Sequence, residues 1–451
     1  MGQKVVVVGG VGGGATTASQ IRKLNDEIEI VIFEKTEYVS FGACGMPYYI
    51  GDIIEERDHL FAATPESLAK KVNANVKVRH EVVSIDRKNK VVKVKDLKND
   101  HLFEEQYDYL VLAPGASAII PTIDGLHSIP HFTLRHIENM DKIKEFINEN
   151  HPKTCSIIGA GFIGLEVAEN LKHLGIDVTV VERSDHVLSI IDKDISERIL
   201  KELEEQGISI HIGDALEKVL PNKTLLLSSG KELQADFIIM AAGIKPNNTL
   251  AKDAGLPIGE SGGIQTNAYM QTEDPSIYAV GDAIESIDFI DKSKKQVPLA
   301  WPAHRQSFIA AKNITGTKQP FEGMLGTAIT KVFDLTVAST GFNEGTLKQK
   351  KLPFATVYHE GKSHAGYYPG AKNVLIKVHF CTKTGKIYGA NIVGGEGVDK
   401  RIDVLATAIL GGLTITDLQA IETSYSPPYS SPKDLLNIVG YKGEQILFDQ
   451  K

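Results

Sequence analysis

Hydrophobic positions along the chain gather into short continuous runs bounded by glycine or polar turns, and the first such run is echoed later. Residues 5–8 are four valines, followed by Gly9-Gly10-Val11-Gly12-Gly13-Gly14. An apolar run of this length, closed by glycine, predicts a fully buried strand. A helical stretch follows from Ala15, then a second apolar strand over 28–33 that ends at Glu34. The order returns at 155–158, with Gly159-Ala160-Gly161-Phe162-Ile163-Gly164, a helix through Leu171, and a strand over 177–181 ending at Glu182. Each unit is closed by a similar strand and turn, over 109–115 in one and 237–243 in the other.

Strand, glycine turn, helix, strand and acid open a dinucleotide-binding βαβ unit. The glycines let backbone N–H groups approach a pyrophosphate at the positive end of the helix. The acid accepts hydrogen bonds from a ribose diol. The second turn is a complete G-x-G-x-x-G, whereas Val11 stands where the middle glycine of the first is usual. Either turn alone also fits a structural strand-to-helix junction; the pair, with both acids in place, points to two dinucleotides. Glu182 suits the diol of NADH, while the adjacent Arg183 leaves the 2′-phosphate of NADPH open.

Beyond Gly243, residues 272–282 read as a turn, a short strand and an acid, Asp282. From about Gly326 the pattern changes to strands over 328–332, 374–380 and 387–393 with a helix over 400–410, a third unit without a glycine loop. The polar stretch 291–295 reads as a surface loop. The fold class is α/β: two Rossmann-like dinucleotide-binding units and a C-terminal α+β unit.

At 451 residues the chain is too long for one core. Its net charge of −8 offers no basic face to nucleic acid. The apolar strand begins almost at the first residue, leaving no cationic leader, and no apolar run approaches the roughly 20 residues that cross a bilayer. The expectation is a cytoplasmic protein with neither a membrane nor a nucleic-acid partner.

The three cysteines, Cys44, Cys155 and Cys381, are too far apart for a disulfide framework or zinc-ligand spacing, so no metal is expected. Cys155 and Cys381 lie in apolar strand patterns and read as core. Cys44 lies in Ser40-Phe41-Gly42-Ala43-Cys44-Gly45-Met46-Pro47-Tyr48-Tyr49. Pro47 suits a first helical turn, which puts Cys44 at or just before a helix N-terminus, where a thiolate is favoured. A lone cysteine is more commonly a small buried hydrophobe; the flanking glycines and the position after the first nucleotide unit argue for function.

These motifs, with residues 272–282, Pro298-Leu299-Ala300-Trp301-Pro302-Ala303-His304-Arg305 and Tyr425-Ser426-Pro427-Pro428-Tyr429, carry a resemblance. From residue 2 to about 441 the chain resembles the single-cysteine branch of the pyridine nucleotide-disulfide oxidoreductases, and within it the coenzyme A-disulfide reductases. The resemblance implies an FAD domain in two parts, 1–120 and 251–325, an NAD(P) domain over 121–250, and a C-terminal dimerisation domain over 326–451. It assigns FAD to Gly9, Gly10, Val11, Gly14, Glu34, Lys35, Val82, Ala113, Gly115, Arg135, Gly281, Asp282, Pro298, Leu299 and Ala300. Glu34 would meet the adenosine ribose, and Asp282 the ribityl chain. It assigns NADH or NADPH to Gly159, Gly161, Phe162, Ile163, Gly164, Glu182, Arg183 and Gly243, with Phe162 gating access to the flavin.

The resemblance further implies a homodimer whose active site is shared across the interface. Cys44 would be the nucleophile and would rest as a mixed disulfide with coenzyme A, and Tyr367 or Tyr425 would stabilise the departing thiolate. Thr16, Gln20 and Lys23 form a polar stripe on the first helix, which is either a solvated face or the border of the coenzyme A channel. Ser40, Ala43, His304, Tyr367 and Lys433 are implied near the substrate, the last two from the partner subunit. Tyr367 and Tyr425 are equally readable as core or interface aromatics.

Two departures separate branches. Two-cysteine relatives carry a second cysteine five residues after the first, where this chain has Tyr49. Peroxidase- and oxidase-like relatives carry a histidine in the first glycine turn, where this chain has Gly12. The expected activity is reduction of coenzyme A disulfide, or a related small disulfide. The rival readings are an NADH oxidase, a persulfide or polysulfide reductase, and a flavin-binding redox sensor.

Overall fold

The structure is a computed structural model that describes residues 2–449. The run of valines forms the centre of a parallel sheet. Lys4–Val8 lies between Glu29–Glu34 and Tyr109–Leu112, with Asn75–Val78 and Ile277–Ala279 at the edges. Val5, Val6 and Val7 are wholly buried. Both faces of the strand are covered, which is why it reads as a continuous apolar run rather than an alternating one.

The second unit repeats this plan strand for strand. Thr154–Ile158 lies between Asp177–Glu182 and Phe237–Met240, with Ser209–Ile212 and His131–Phe132 at the edges, all parallel. Each unit also carries a three-stranded antiparallel sheet between its third strand and its closing strand. An antiparallel pair, Ala116–Ala118 with Ile244–Pro246, joins the units.

The first helix, Gly12–Leu24, begins before the expected Ala15, so the glycine turn itself forms its opening turn. After the second unit the chain returns to the first. Ile277–Ala279 edges its sheet, and the helix Ala300–Ile314 lies along Gly12–Leu24, where Ser307 Oγ donates to the Gly13 carbonyl at 2.8 Å.

The C-terminal sheet is antiparallel, ordered Ala328–Val332, Leu335–Gly341, Ile387–Gly394, Asn373–Cys381, Phe354–Lys362. The helices Val398–Leu410 and Leu435–Asp449 share its core. The polar stretch 291–295 is not simply a loop. Lys294–Lys295 pairs with Ser286–Ile287, Lys295 reaches the buried Asp288 at 2.5 Å, and Lys350 holds Asp291 at 2.6 Å.

The junction of the three parts decides where the chemistry sits. Met46, Ile50 and Leu60, from the first unit's chain, are buried in the core of the second unit. Val332, Val337 and Val393 of the C-terminal sheet enter the same core. Each such side chain stabilises the docking by about 1.5–3 kcal/mol. A buried polar network ties the second unit to the C-terminal sheet as well. Asp192 Oδ2 accepts from Lys377 Nζ and His379 Nε2, both at 2.8 Å, and Asp192 N donates to Asn391 Oδ1 at 2.8 Å.

Candidate functional site

Two cradles are built by the same backbone device. Gly9 and Gly159 turn the chain at the strand ends with φ of +101° and +111°. A Cβ there would lie 2.2 Å from the Ala113 carbonyl oxygen in one case and 2.3 Å from that of Ala241 in the other. Gly14 and Gly164 let the helix close on the turn, since a Cβ would fall 1.8 Å and 2.0 Å from the carbonyl oxygens of Gly9 and Gly159. A Cβ at Gly12 or Gly161 would meet nothing within 4 Å. These two glycines are not required by protein packing; they leave open the space before an uncapped helix N-terminus, where an anionic pyrophosphate fits.

The acids complete the match. Glu34 Oε2 accepts from Gly10 N at 2.8 Å, and its Oε1 from the backbone and hydroxyl of Thr36. Glu182 Oε2 accepts from Ala160 N and its Oε1 from Ser184 N, both at 2.7 Å. Each carboxylate is thus fixed beside its turn, with lone pairs left for a ribose diol. Arg183, beside Glu182, is exposed.

Around the first cradle, Arg135 pairs with Asp282 and donates through Nε to the Ala116 carbonyl at 3.0 Å. Gly281, at φ +81°, donates its N–H to Gln306 Oε1 at 2.8 Å. Gly115 and Gly243 also turn at positive φ. Pro298, Leu299 and Ala300 lead into the helix Ala300–Ile314. Val82 is buried on the strand His80–Asp86, and the exposed Lys35 pairs with Glu81 at 3.8 Å.

Cys44 sits in the 3₁₀ turn Ala43–Gly45, directly before the helix Met46–Ile50, whose second residue is Pro47. Ser40, at φ +49°, is held between the Gly10 carbonyl, which its N–H meets at 3.0 Å, and Ala62 N, which its own carbonyl meets at 2.7 Å. All three cysteines are free; Cys44 is exposed, and Cys155 and Cys381 are buried.

The expectation that a helix end lowers the Cys44 thiol is overturned. The surrounding protein mass, then the Glu166 carboxylate, push it up; Arg135 pulls the other way and Asp282 adds to the rise. A helix of five residues has too short a dipole to compensate. Burial pushes Cys155 far up. Cys381 is also opposed by burial, but hydrogen bonds with Thr384 and Tyr388 outweigh it and bring the thiol to about 7.

The implied substrate contacts are brought together only in pairs. Thr16 Oγ1 and His304 Nδ1 lie 2.8 Å apart, joining the first helix to Ala300–Ile314. Gln20 is half-buried and Lys23 exposed on that first helix. Tyr367 and Tyr425 share a hydroxyl hydrogen bond of 3.1 Å, and that bond raises the Tyr425 phenol. Both rings are exposed, at 76% and 46%, so neither is a core aromatic. Among the described residues no hydrogen bond joins either tyrosine to Cys44 of the same chain. Lys433 is exposed, its Nζ 5.0 Å from the Tyr441 ring centre. Its neighbour Asp434 is buried in a two-pronged pair with Arg401 at 3.0 and 2.7 Å, which anchors the segment carrying Tyr425 and Tyr429.

The profile of the pyridine nucleotide-disulphide oxidoreductases matches residues 3–307, and that of the dimerisation domain of the same family matches residues 327–434. The chain belongs to this family. Members hold FAD and take their electrons from NAD(P)H, and the two cradles fit the two dinucleotides. Its relatives include the coenzyme A disulfide reductases of Staphylococcus epidermidis and Staphylococcus haemolyticus. Each is 40% identical over 98% of this chain and 100% of the relative. Reduced Bacillus anthracis CoADR-RHD is 44% identical with a TM-score of 0.98, covering 100% of this chain and 81% of that one. A NAD-dependent persulfide reductase from A. fulgidus is 38% identical with a TM-score of 0.96, covering 99% and 84%. The water-forming NADH oxidase from Lactobacillus brevis, bound to NADH, is 28% identical with a TM-score of 0.95, covering 99% of each chain.

The family's fold brings to the Cys44 region one acid that the motif reading passed over. Glu166 lies on the helix Phe162–His173, two residues after the last glycine of the second cradle. Burial raises its carboxyl to about 7; the Thr330 hydroxyl at 3.3 Å opposes the rise and Glu169 adds to it. Tyr48, four residues after Cys44, is pushed up to about 12 by burial, with Glu166, Glu169 and Cys44 contributing. The available signal was a single acid in the otherwise apolar run Leu165-Glu166-Val167-Ala168. Among the described residues no helix is long and apolar enough to cross a membrane.

Proposed function

We propose that this protein reduces coenzyme A disulfide to two thiols with NAD(P)H, using Cys44 as its only redox sulfur. The observation that carries this reading is the isolation of Cys44: it is exposed where the two nucleotide units meet, while the other two cysteines are buried. Tyr49 stands where a resolving thiol would be needed, so an oxidised Cys44 has to be capped by a sulfur from outside the chain. The staphylococcal relatives named coenzyme A disulfide reductases support coenzyme A as that cap.

FAD, when bound, takes a hydride from the nicotinamide and supplies an electron pair to sulfur. Gly9, Gly10, Val11 and Gly14 would hold its pyrophosphate, Glu34 its ribose, and the Arg135–Asp282 pair would re-form around its polar chain. Gly161 and Gly164 would hold the pyrophosphate of the nicotinamide nucleotide. Glu182, oriented as Glu34 is, reads an unphosphorylated ribose and favours NADH. Half-buried Phe162 would screen the nicotinamide end of that cradle.

Cys44 thiolate attacks the disulfide, an S–S bond forms between Cys44 and one half, and the other half leaves as a thiolate. Reduction of the mixed disulfide then frees Cys44 and the second thiol. The exposed Tyr367–Tyr425 pair and Lys433 would meet this site from the second subunit of a homodimer, where a phenol can protonate the departing thiolate. Thr16, Gln20, Lys23, Ser40, Ala43 and His304 would line the approach. A cytoplasmic location suits a protein whose exposed cysteine works by cycling through the reduced state.

Steady-state rates with coenzyme A disulfide, polysulfide and oxygen test the proposal. Thiol release from coenzyme A disulfide should exceed both other activities; oxygen consumption without thiol release would overturn it.

A further inference from the structure

The catalytic scheme leaves one buried acid unused. Glu166 occupies a seam where three elements meet: its own helix Phe162–His173, the Cys44 turn with the helix Met46–Ile50, and the strand Ala328–Val332. The packing of the first two is close. Gly51, just after Met46–Ile50, faces Asn170 so tightly that a Cβ would lie 2.2 Å from its Oδ1. Asn170 Nδ2 in turn donates to the Glu166 carbonyl at 2.8 Å, one helical turn back toward the cradle. Glu166 is therefore on the turn of that helix nearest the start of Met46–Ile50.

The charged and titratable groups facing it can be named element by element. Its own helix adds Glu169, which is occupied by Phe333 N at 2.9 Å and Lys331 at 3.7 Å. The Cys44 side adds Cys44 and Tyr48. The strand Ala328–Val332 adds the Thr330 hydroxyl and Lys331, whose ammonium is turned to Glu169. Lys144 faces the same short helix but is bound to the Ile50 carbonyl and Asp52 at 3.0 and 2.6 Å. Arg135 and Asp282 act on Cys44 from the first cradle, paired to each other. Among the described residues no salt bridge reaches Glu166, so nothing neutralises it except a proton.

We infer that Glu166 is the proton store that balances the charge on Cys44, taking up a proton when the thiolate forms and releasing it when Cys44 is recapped. The inference rests on the proposed thiol chemistry of Cys44 and adds a positioning residue to it. The coupling is reciprocal: a carboxylate that disfavours the thiolate is itself disfavoured by it. Carboxyl and thiol then titrate as a pair in the neutral range, which the rise of Glu166 to about 7 allows.

The cycle balances. The mixed disulfide gains two electrons that came from NAD(P)H, its S–S bond breaks into Cys44 thiolate and coenzyme A thiolate, and Glu166 carboxylate takes one proton from solvent. When Cys44 attacks the next disulfide, one S–S bond forms and one breaks. The proton lost by Glu166 matches the one gained by the departing thiol.

The test is the pH profile of Cys44 alkylation by iodoacetamide, read by intact mass on the NADH-reduced holoenzyme. Wild type should deviate from a one-proton curve. Glu166→Gln, whose amide still accepts from Thr330, should follow a one-proton curve with a lower midpoint and should alkylate severalfold faster above neutrality. Glu166→Asp should restore the displacement in part. A one-proton curve in wild type overturns the inference without need of any variant, as do superimposable wild-type and Gln profiles. Loss of turnover in Cys44→Ser, measured alongside, shows whether the thiol reading itself stands.

Discussion

Replacing Asp192 by asparagine should loosen the joint between the second nucleotide unit and the C-terminal sheet. The carboxylate accepts from Lys377 Nζ and His379 Nε2 at 2.8 Å and from Glu344 N at 2.7 Å, with its side chain 2% exposed. The isosteric amide keeps one acceptor and turns an NH₂ toward donors. Two routes give the magnitude. Burial alone would raise the Asp192 carboxyl; its bonds to His379 and Lys377 hold it down at about 2 instead of 3.8, a difference of about 2 kcal/mol. Breaking a buried ion pair costs about 3–5 kcal/mol. Lys377 keeps Asp194 at 2.8 Å and Glu344 at 3.0 Å, so the lower end applies. The expected loss is about 3 kcal/mol, read as a lower urea midpoint of the first unfolding transition at pH 7 by far-UV circular dichroism. The folded carboxyl lies below its unfolded value. The contribution is therefore complete above about pH 4 and disappears as pH falls toward 2, so wild type and Asp192→Asn should converge in acid. Equal midpoints at pH 7 would refute the reasoning.

Gly161→Ala should fold and keep its flavin while binding NAD(P)H about tenfold more weakly, about 1.4 kcal/mol, because its Cβ enters ligand space and touches no protein atom. Gly164→Ala, with its Cβ 2.0 Å from the Gly159 carbonyl oxygen, should instead lower the unfolding midpoint itself. Tyr367→Phe combined with Tyr425→Phe should slow thiol release in stopped-flow turnover; an unchanged rate removes both phenols from the mechanism. Glu182→Ser should raise the ratio of NADPH to NADH kcat/KM, since the fixed carboxylate beside Ala160 N repels a 2′-phosphate.

Both glycine cradles and their terminal acids were legible from local pattern, because their chemistry is carried by neighbours in sequence. So was the C-terminal unit, although Leu335–Gly341 and Phe354–Lys362 were passed over. Their polar residues look toward other parts of the protein, which breaks the alternation that a one-sided strand would show. Lys377 and His379 are the extreme case: they read as the solvent side of a strand, yet they are 1% and 0% exposed beneath the second nucleotide unit. Glu166 escaped for the same reason, since the residues that raise its carboxyl come from helix and strand far away in sequence. The Cys44 thiol was misjudged because a short helix was credited with a full dipole, while the field of Glu166 was invisible in the motif.

The account stands on Cys44 forming and breaking a bond with an external thiol. Intact-protein mass under non-reducing conditions, after exposure to coenzyme A disulfide, reads this directly. The predicted result is an adduct of one coenzyme A, removed by dithiothreitol and absent from Cys44→Ser. A wild-type protein that turns over with Cys44 unmodified at every time point, or a serine variant that still cleaves the disulfide at full rate, would contradict it.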